Sequence, residues 1–210
     1  MGLSGSRHNV YLIGPGGAGK STAGALLARE LGYSLIDLDE YFVAHSGDIS
    51  TYLCSHTYRE YAQRNFKNYR LAMEAISAPT VFVLSSGFMV YPTEIDLGYP
   101  DARDSVEMNP LTFLLMPSFE FEDCVSIIVE RQLSRPYLRS NKDSEEARIR
   151  ERFCRYMALR CQRVSTGGAP GLVVSEIIAR IAANNRKQPT SESSLRSGRL
   201  AADAERFSFG

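Results

Sequence analysis

The 210-residue chain has no tryptophan, only four lysines among its 24 basic residues, and only four cysteines. Those cysteines (Cys54, Cys124, Cys154 and Cys161) show no CxxC or metal-finger spacing. A zinc module or redox pair is therefore not expected, and a reduced, cytoplasmic setting is. Net charge is also missing: 24 Lys and Arg balance 24 Asp and Glu. Such a balance gives neither nucleic acid nor an anionic membrane a reason to be the main partner. No apolar run reaches 18 residues, so no transmembrane helix is expected. The first apolar segment is broken at once by glycines and does not read as a signal peptide. What is present is a 44% hydrophobic chain, long enough for one globular core of α/β or α+β class.

Short apolar runs alternate with helical patterns. Asn9–Ile13 reads as a buried strand ending in glycines, and Lys20–Leu31 carries Ala23, Leu26, Leu27 and Leu31 at helical spacing before Gly32. Further strands are expected at 34–38, 80–84 and 111–115, and helices at 118–133 and 172–183. This alternation predicts parallel β-α-β units in a three-layer α/β/α arrangement. Met89–Pro110, with three prolines among acidic and aromatic residues, reads as a long loop. The expected organisation is one domain over residues 1–185 and a disordered or loosely helical tail over 186–210.

The strongest signal is Gly14-Pro-Gly16-Gly17-Ala18-Gly19-Lys20-Ser21-Thr22. It matches G-x-x-x-x-G-K-[ST] and lies between a strand and a helix, the context a phosphate-binding loop requires. Glycines let successive N–H groups face phosphates, and the helix N-terminus adds positive charge. Lys20 would reach the β- and γ-phosphates and the Ser21 hydroxyl would hold Mg²⁺. The expected ligand is Mg·ATP.

Asp37-Leu-Asp39 reads as the end of the second strand, with both carboxylates on one face. Either aspartate could instead cap the helix that follows. Asp39 is favoured as the proton acceptor for a substrate hydroxyl, and Asp37 as a weaker candidate for Mg²⁺. Nine arginines fall between Arg131 and Arg163. Interleaved acidic residues make Arg148, Arg150, Arg160 and Arg163 read as a solvated helix face. Arg135-Pro136 reads instead as part of a lid over the nucleotide. The recurrent tyrosines 52, 58, 61 and 69 read chiefly as helix packing, and the three histidines as surface or helix residues.

These segments, in chain order, resemble the shikimate kinase family of P-loop small-molecule kinases. The resemblance rests on IGPGGAGKST, LGYSLIDLDEY, Arg135-Pro-Tyr-Leu138 and Thr166–Val174. It implies that Lys20, Asp39 and Arg135 are catalytic, and that ATP is held by the 14–22 loop with Arg131, Arg135 and Pro170. It further implies Mg²⁺ at Ser21 and Asp37, and acceptor contacts from Asp39, Gly87, Arg152 and Arg64, with Lys67 the alternative to Arg64. The chain departs from the family on the acceptor side. A run of three glycines becomes Leu84-Ser-Ser-Gly87-Phe88, the F-R pair has no match in the 63–67 register, and 89–110 is unlike the family's segment. The resemblance implies phosphoryl transfer to a small-molecule hydroxyl, most simply shikimate, by a monomer or weak homodimer. Two alternatives remain: another hydroxylated acceptor (a sugar acid, cyclitol or antibiotic), or a non-catalytic nucleotide-binding homologue.

Overall fold

The computed structural model describes residues 9–134 and 142–187. The chain divides into two compact units at Ile177/Ile178, and the described part of the second, residues 178–187, is the end of one helix. The first unit is built on a five-stranded parallel sheet: β1 (Val10–Ile13), β2 (Ser34–Asp37), β3 (Thr80–Val83), β4 (Thr112–Met116) and β5 (Gln162–Ser165), in the order β2-β3-β1-β4-β5. Eight helices join or follow them: α1 (Lys20–Leu31), α2 (Leu38–Ser46), α3 (Ile49–Ser55), α4 (Tyr58–Ala75), α5 (Tyr99–Met108), α6 (Phe121–Leu133), α7 (Lys142–Met157) and α8 (Pro170–Lys187). The expected P-loop α/β fold with a central parallel sheet is the one observed.

The three inner strands are buried at every position, as continuous Val, Ile, Leu and Phe runs require of a parallel sheet covered on both faces. Tyr11 pairs with Phe82 on one side and Thr112 on the other, which makes β1 the central strand. The chain leaves β1 for the β2 edge and later crosses to β4, so the strand order reverses at β1 and opens a crevice at its carboxyl end. The edge strands look different. Only Val164 of β5 is buried, and its Gln-Arg-Val-Ser sequence gave no strand signal.

Two expectations are corrected. Residues 89–110 are not a long loop. They form single 3₁₀ turns at Phe88–Val90 and Thr93–Ile95 followed by α5, with Tyr91 and Tyr99 inside the core. Pro100 lies in the first turn of α5, where its missing N–H costs nothing, so the proline that reads as a breaker opens a helix. Nor is Asp37-Leu-Asp39 a strand segment: β2 stops at Asp37, and Asp39 lies in the first turn of α2. The helix expected from residue 118 starts at Phe121. The expected tail lies outside the described residues beyond Lys187.

Helix α1 packs on the sheet through Gly24, where an added Cβ would lie 2.4 Å from Cγ2 of the buried Val83. Gly24→Val should therefore lower the urea midpoint by the equivalent of about 1–3 kcal/mol, the range for overpacking a filled core. An unchanged midpoint would show that α1 and β3 separate freely.

Candidate active site

The loop after β1 depends on Gly14. Its φ is 138°, and a Cβ there would lie 2.2 Å from the Leu115 carbonyl oxygen of β4. No other residue fits this point, and the turn starts directly against the sheet. The loop runs through Gly16, Gly17 and Ala18 to Gly19, the N-cap of α1, where no side chain caps the helix. The first N–H groups of α1 thus keep their donors for an anion. Lys20 is buried, and its Nζ donates to the Gly14 and Pro15 carbonyls, both at 2.9 Å. The ammonium therefore lies inside the curve of the loop. Thr22 follows on the exposed side of α1.

Ser21 and Asp37 meet next to this loop. The Ser21 hydroxyl donates to Asp37 Oδ2 at 2.6 Å, and Asp37 Oδ1 accepts from the Asp39 N–H at 3.0 Å. Asp37 therefore caps α2, the alternative reading of this aspartate, and its other oxygen pairs with the P-loop hydroxyl. A hydroxyl and a carboxylate in direct contact beside a lysine-bearing anion loop are a suitable hard-oxygen donor pair for Mg²⁺. Among the described residues no group of three or more His, Cys, Asp and Glu could hold a metal by itself.

Arg131 on α6 ties the P-loop to a second segment of the chain. It donates to the Gly17 carbonyl at 3.3 Å and to the Thr166 carbonyl at 3.0 Å, linking the P-loop to the segment after β5. That segment leads through Gly167 and Gly168 to Pro170 at the start of α8. Arg135 lies outside the described residues.

On the other side of the crevice the structure assembles tyrosines. Burial raises the Tyr61 and Tyr91 phenols well above the usual tyrosine range, and the nearby Asp39 carboxylate pushes both further up. Asp39 lies in the first turn of α2, and Phe42 of the same helix packs on Tyr61 with ring centroids 5.1 Å apart. Asn65 donates to the Tyr91 hydroxyl at 2.7 Å, and Tyr156 donates to the Ser86 carbonyl. Tyr58 packs against Tyr61 and Tyr91, and its hydroxyl accepts from Arg152 at 2.9 Å. Burial raises the Tyr58 pKa, and the Arg152 charge opposes the rise. Pro15 and Gly16 of the P-loop line one cavity with Ser86, Arg148, Arg152 and Tyr156. The P-loop, Arg152 and the remnant of the glycine run thus share a wall.

The arginines of α7 and of the segment just after it pair with acidic neighbours. Arg150 is paired with Glu146 and with Glu122 of α6, both at 2.8 Å, and Arg160 with Glu107 at 3.4 Å, as a solvated surface expects. Arg148 follows the same reading, exposed and paired along the helix. It pairs at 2.6 Å with Glu145, a buried carboxylate that also accepts from Gln132, and it lines the cavity beside Arg152. Arg64 does not join this group. It sits on the exposed side of α4, on the wall of a separate groove with Glu60 and Lys67. The pair overlooked in the sequence is Tyr58-Arg59. It is an aromatic-arginine dipeptide at the start of α4, placed by the capping box of Thr57 and Glu60, and Tyr58 touches Arg152. That box, T-x-x-E, was the available signal.

Strand order, loop and crevice define a P-loop phosphotransferase fold whose loop borders a cavity lined by side chains. The shikimate kinase family model matches residues 16–182, and the chain belongs to the shikimate kinase family. It is 28% identical over 173 residues to shikimate kinase 2 of Salmonella typhimurium, covering 81% of this chain and 90% of that relative. Its fold is similar to a shikimate kinase from Acinetobacter baumannii solved in complex with shikimate (TM-score 0.67, 20% identity, 85% of this chain and 95% of that one). It is also similar to a gluconokinase from Sinorhizobium meliloti (TM-score 0.51, 17% identity, 84% and 93%). The protein is an enzyme of the phosphotransferase class with an alcohol group as acceptor, and no described helix is long and apolar enough to cross a membrane.

Because Arg131 bridges the P-loop and the Thr166 carbonyl, Arg131→Ala should raise the KM for ATP about tenfold, the order of a lost charged hydrogen bond. The acceptor KM should stay within twofold. An unchanged ATP KM in steady-state assays would remove Arg131 from the nucleotide site.

Proposed function

We propose that this protein transfers the γ-phosphoryl group of Mg·ATP to a hydroxyl of shikimate. The observation that carries the reading is the placement of Asp39 and Arg152 around one tyrosine cluster, next to the P-loop. The cluster offers a base at one side and a guanidinium at the other, as a hydroxyl acceptor that also bears a carboxylate needs.

The residues take the following roles. Main-chain N–H groups of the loop between Pro15 and Lys20 and the Lys20 ammonium hold the phosphates, with Thr22, Arg131 and Pro170 completing the nucleotide side. Ser21 and Asp37 hold Mg²⁺. Mg·ATP supplies the transferable phosphoryl group and neutralises its charge. Asp39 accepts the proton of the attacking hydroxyl. Arg152 grips the acceptor's carboxylate in the planar, two-point geometry guanidinium favours, and Arg59 takes the place assigned from sequence to Arg64 or Lys67. Fixing both partners in this geometry supplies much of the rate.

A second reading has its own support. Gly87 is the only glycine left of the family's run, its open side is filled by the Tyr58 and Tyr91 rings, and the Ser86 carbonyl is taken by Tyr156. The main-chain surface that the family offers its acceptor is largely spoken for, which favours a different hydroxy acid.

A coupled assay with ATP and shikimate, gluconate and a neutral cyclitol decides between them. Turnover on shikimate is expected, turnover on gluconate alone selects the second reading, and nucleotide binding with no turnover on any acceptor rejects both. Lys20→Ala should abolish turnover. Asp39→Asn should lower kcat by on the order of 10²–10⁴, the usual worth of a positioned base, with ATP affinity by calorimetry nearly intact. A fully active Asp39→Asn enzyme would sink the base assignment.

A further inference from the structure

The Tyr58 hydroxyl has a placement that packing alone does not require. Its ring is partly exposed, yet its oxygen points inward: it accepts from Arg152 at 2.9 Å and lies over Gly87, where an added Cβ would be 2.3 Å away. The same Cβ would lie 2.6 Å from Cε1 of Tyr91, so both rings close down on the one position without a side chain. The Arg152 guanidinium also lies over the Tyr58 ring, with its carbon 5.5 Å from the centroid. One residue therefore fixes Arg152 twice, by a hydrogen bond to its edge and by its ring face.

The position of Tyr58 is itself fixed. It is the first residue of α4, and the Thr57–Glu60 capping box sets where that helix begins. Tyr61 and Tyr91 brace its ring at centroid distances of 5.8 and 5.9 Å. A phenylalanine here would keep all of this packing. Only the hydroxyl would be lost, and with it the hold on Arg152.

We propose that Tyr58 is a specificity-determining, positioning residue: its hydroxyl holds the Arg152 guanidinium over Gly87, ready for the carboxylate of an acid-bearing acceptor. The proposal rests on the kinase reading for the identity of that acceptor. A guanidinium with a fixed plane loses less freedom on meeting a planar carboxylate than a free one, so the gain falls on acceptors with an acid group. Neutral hydroxyl acceptors receive none of it. The hydroxyl also fills space above Gly87, which limits the ring substituents the pocket takes on that side.

Two measurements on the full chain test this with Tyr58→Phe. In the first, wild type and variant react with phenylglyoxal, and labelled arginines are mapped by mass spectrometry, with no acceptor present. Arg152 should be labelled several-fold faster in Tyr58→Phe, while Arg150, held by Glu122 and Glu146, reacts equally in both. In the second, steady-state kinetics with shikimate should show an acceptor KM raised roughly tenfold, the order of one hydrogen bond to a charged group. The ATP KM and kcat should move less than twofold. Unchanged Arg152 labelling overturns the proposal, as does faster labelling with an unmoved acceptor KM. An ATP KM that rises in step with the acceptor KM also overturns it, because that is the mark of a general structural effect. If wild type turns over no shikimate, the acceptor reading falls, and the labelling arm alone decides whether Tyr58 holds Arg152.

Discussion

The close approach of Gly14 to the Leu115 carbonyl is the constraint on which the rest of this site depends. Because no side chain stands between them, β1 can end and turn within hydrogen-bonding reach of its neighbour β4. The loop then curls at the sheet's surface rather than above it, and Lys20 reaches back to two carbonyls of the turn. Helix α1 is launched over the sheet at the height where Gly24 can lie on Val83. From there Ser21 is delivered to Asp37 at the end of β2. A bulkier residue at position 14 would not merely distort one turn. It would move the lysine, the hydroxyl and the helix that carries them.

The tyrosine-lined side of the crevice is built on the opposite logic. Where bare main chain could meet a ligand, this chain places tyrosines, and each buried phenol must find a partner or bear a desolvation cost. They do: Tyr91 with Asn65, Tyr99 with the Phe88 carbonyl at 2.5 Å, and Tyr156 with the Ser86 carbonyl. Those bonds join α4, α5, α7 and the 85–91 segment into one wall. Aromatic rings with few rotatable bonds and fixed hydroxyls make a stiff boundary. Its shape is therefore set before any ligand arrives. Asp39 and Arg152 stand at two places on that wall.

Much of this was readable from the chain, and the failures have physical causes. The P-loop, α1 and the inner strands were recovered because burial on both faces forces uninterrupted apolar runs. Strand β5 was missed because an edge strand with one buried residue has almost no apolar pattern. Residues 89–110 were misread because proline and glycine mark turns and helix starts alike. Asp37-Leu-Asp39 alternates like a strand, but Asp37 also has the oxygen that caps a helix, and the cap prevailed. Arg148 and Arg150 both pair with acidic neighbours on their helix, as interleaved charge predicts, but charge counting cannot show that Arg148 also borders the cavity of Arg152. The Tyr58-Arg59 pair was passed over because its value lies in a contact with Arg152, which only the tertiary structure brings near.

The unequal readability of the two halves follows from how each recognises its ligand. Phosphates are held by main-chain amides, and the sequence requirement is that side chains be absent at set intervals. That is a compact pattern within one loop. In the proposed reading, the acceptor meets side chains from α2, α4 and α7, which are far apart in the chain and joined only when the sheet order is known. A change at one of these positions need not disturb the fold, since the tyrosine wall is anchored by its own hydrogen bonds. Nucleotide chemistry can thus stay constant while the acceptor pocket is rebuilt. The replacement of a glycine run by Ser85-Ser86-Gly87 under two rings has that character: the P-loop is intact, and the altered residues lie on the tyrosine wall that the proposed reading gives to the acceptor.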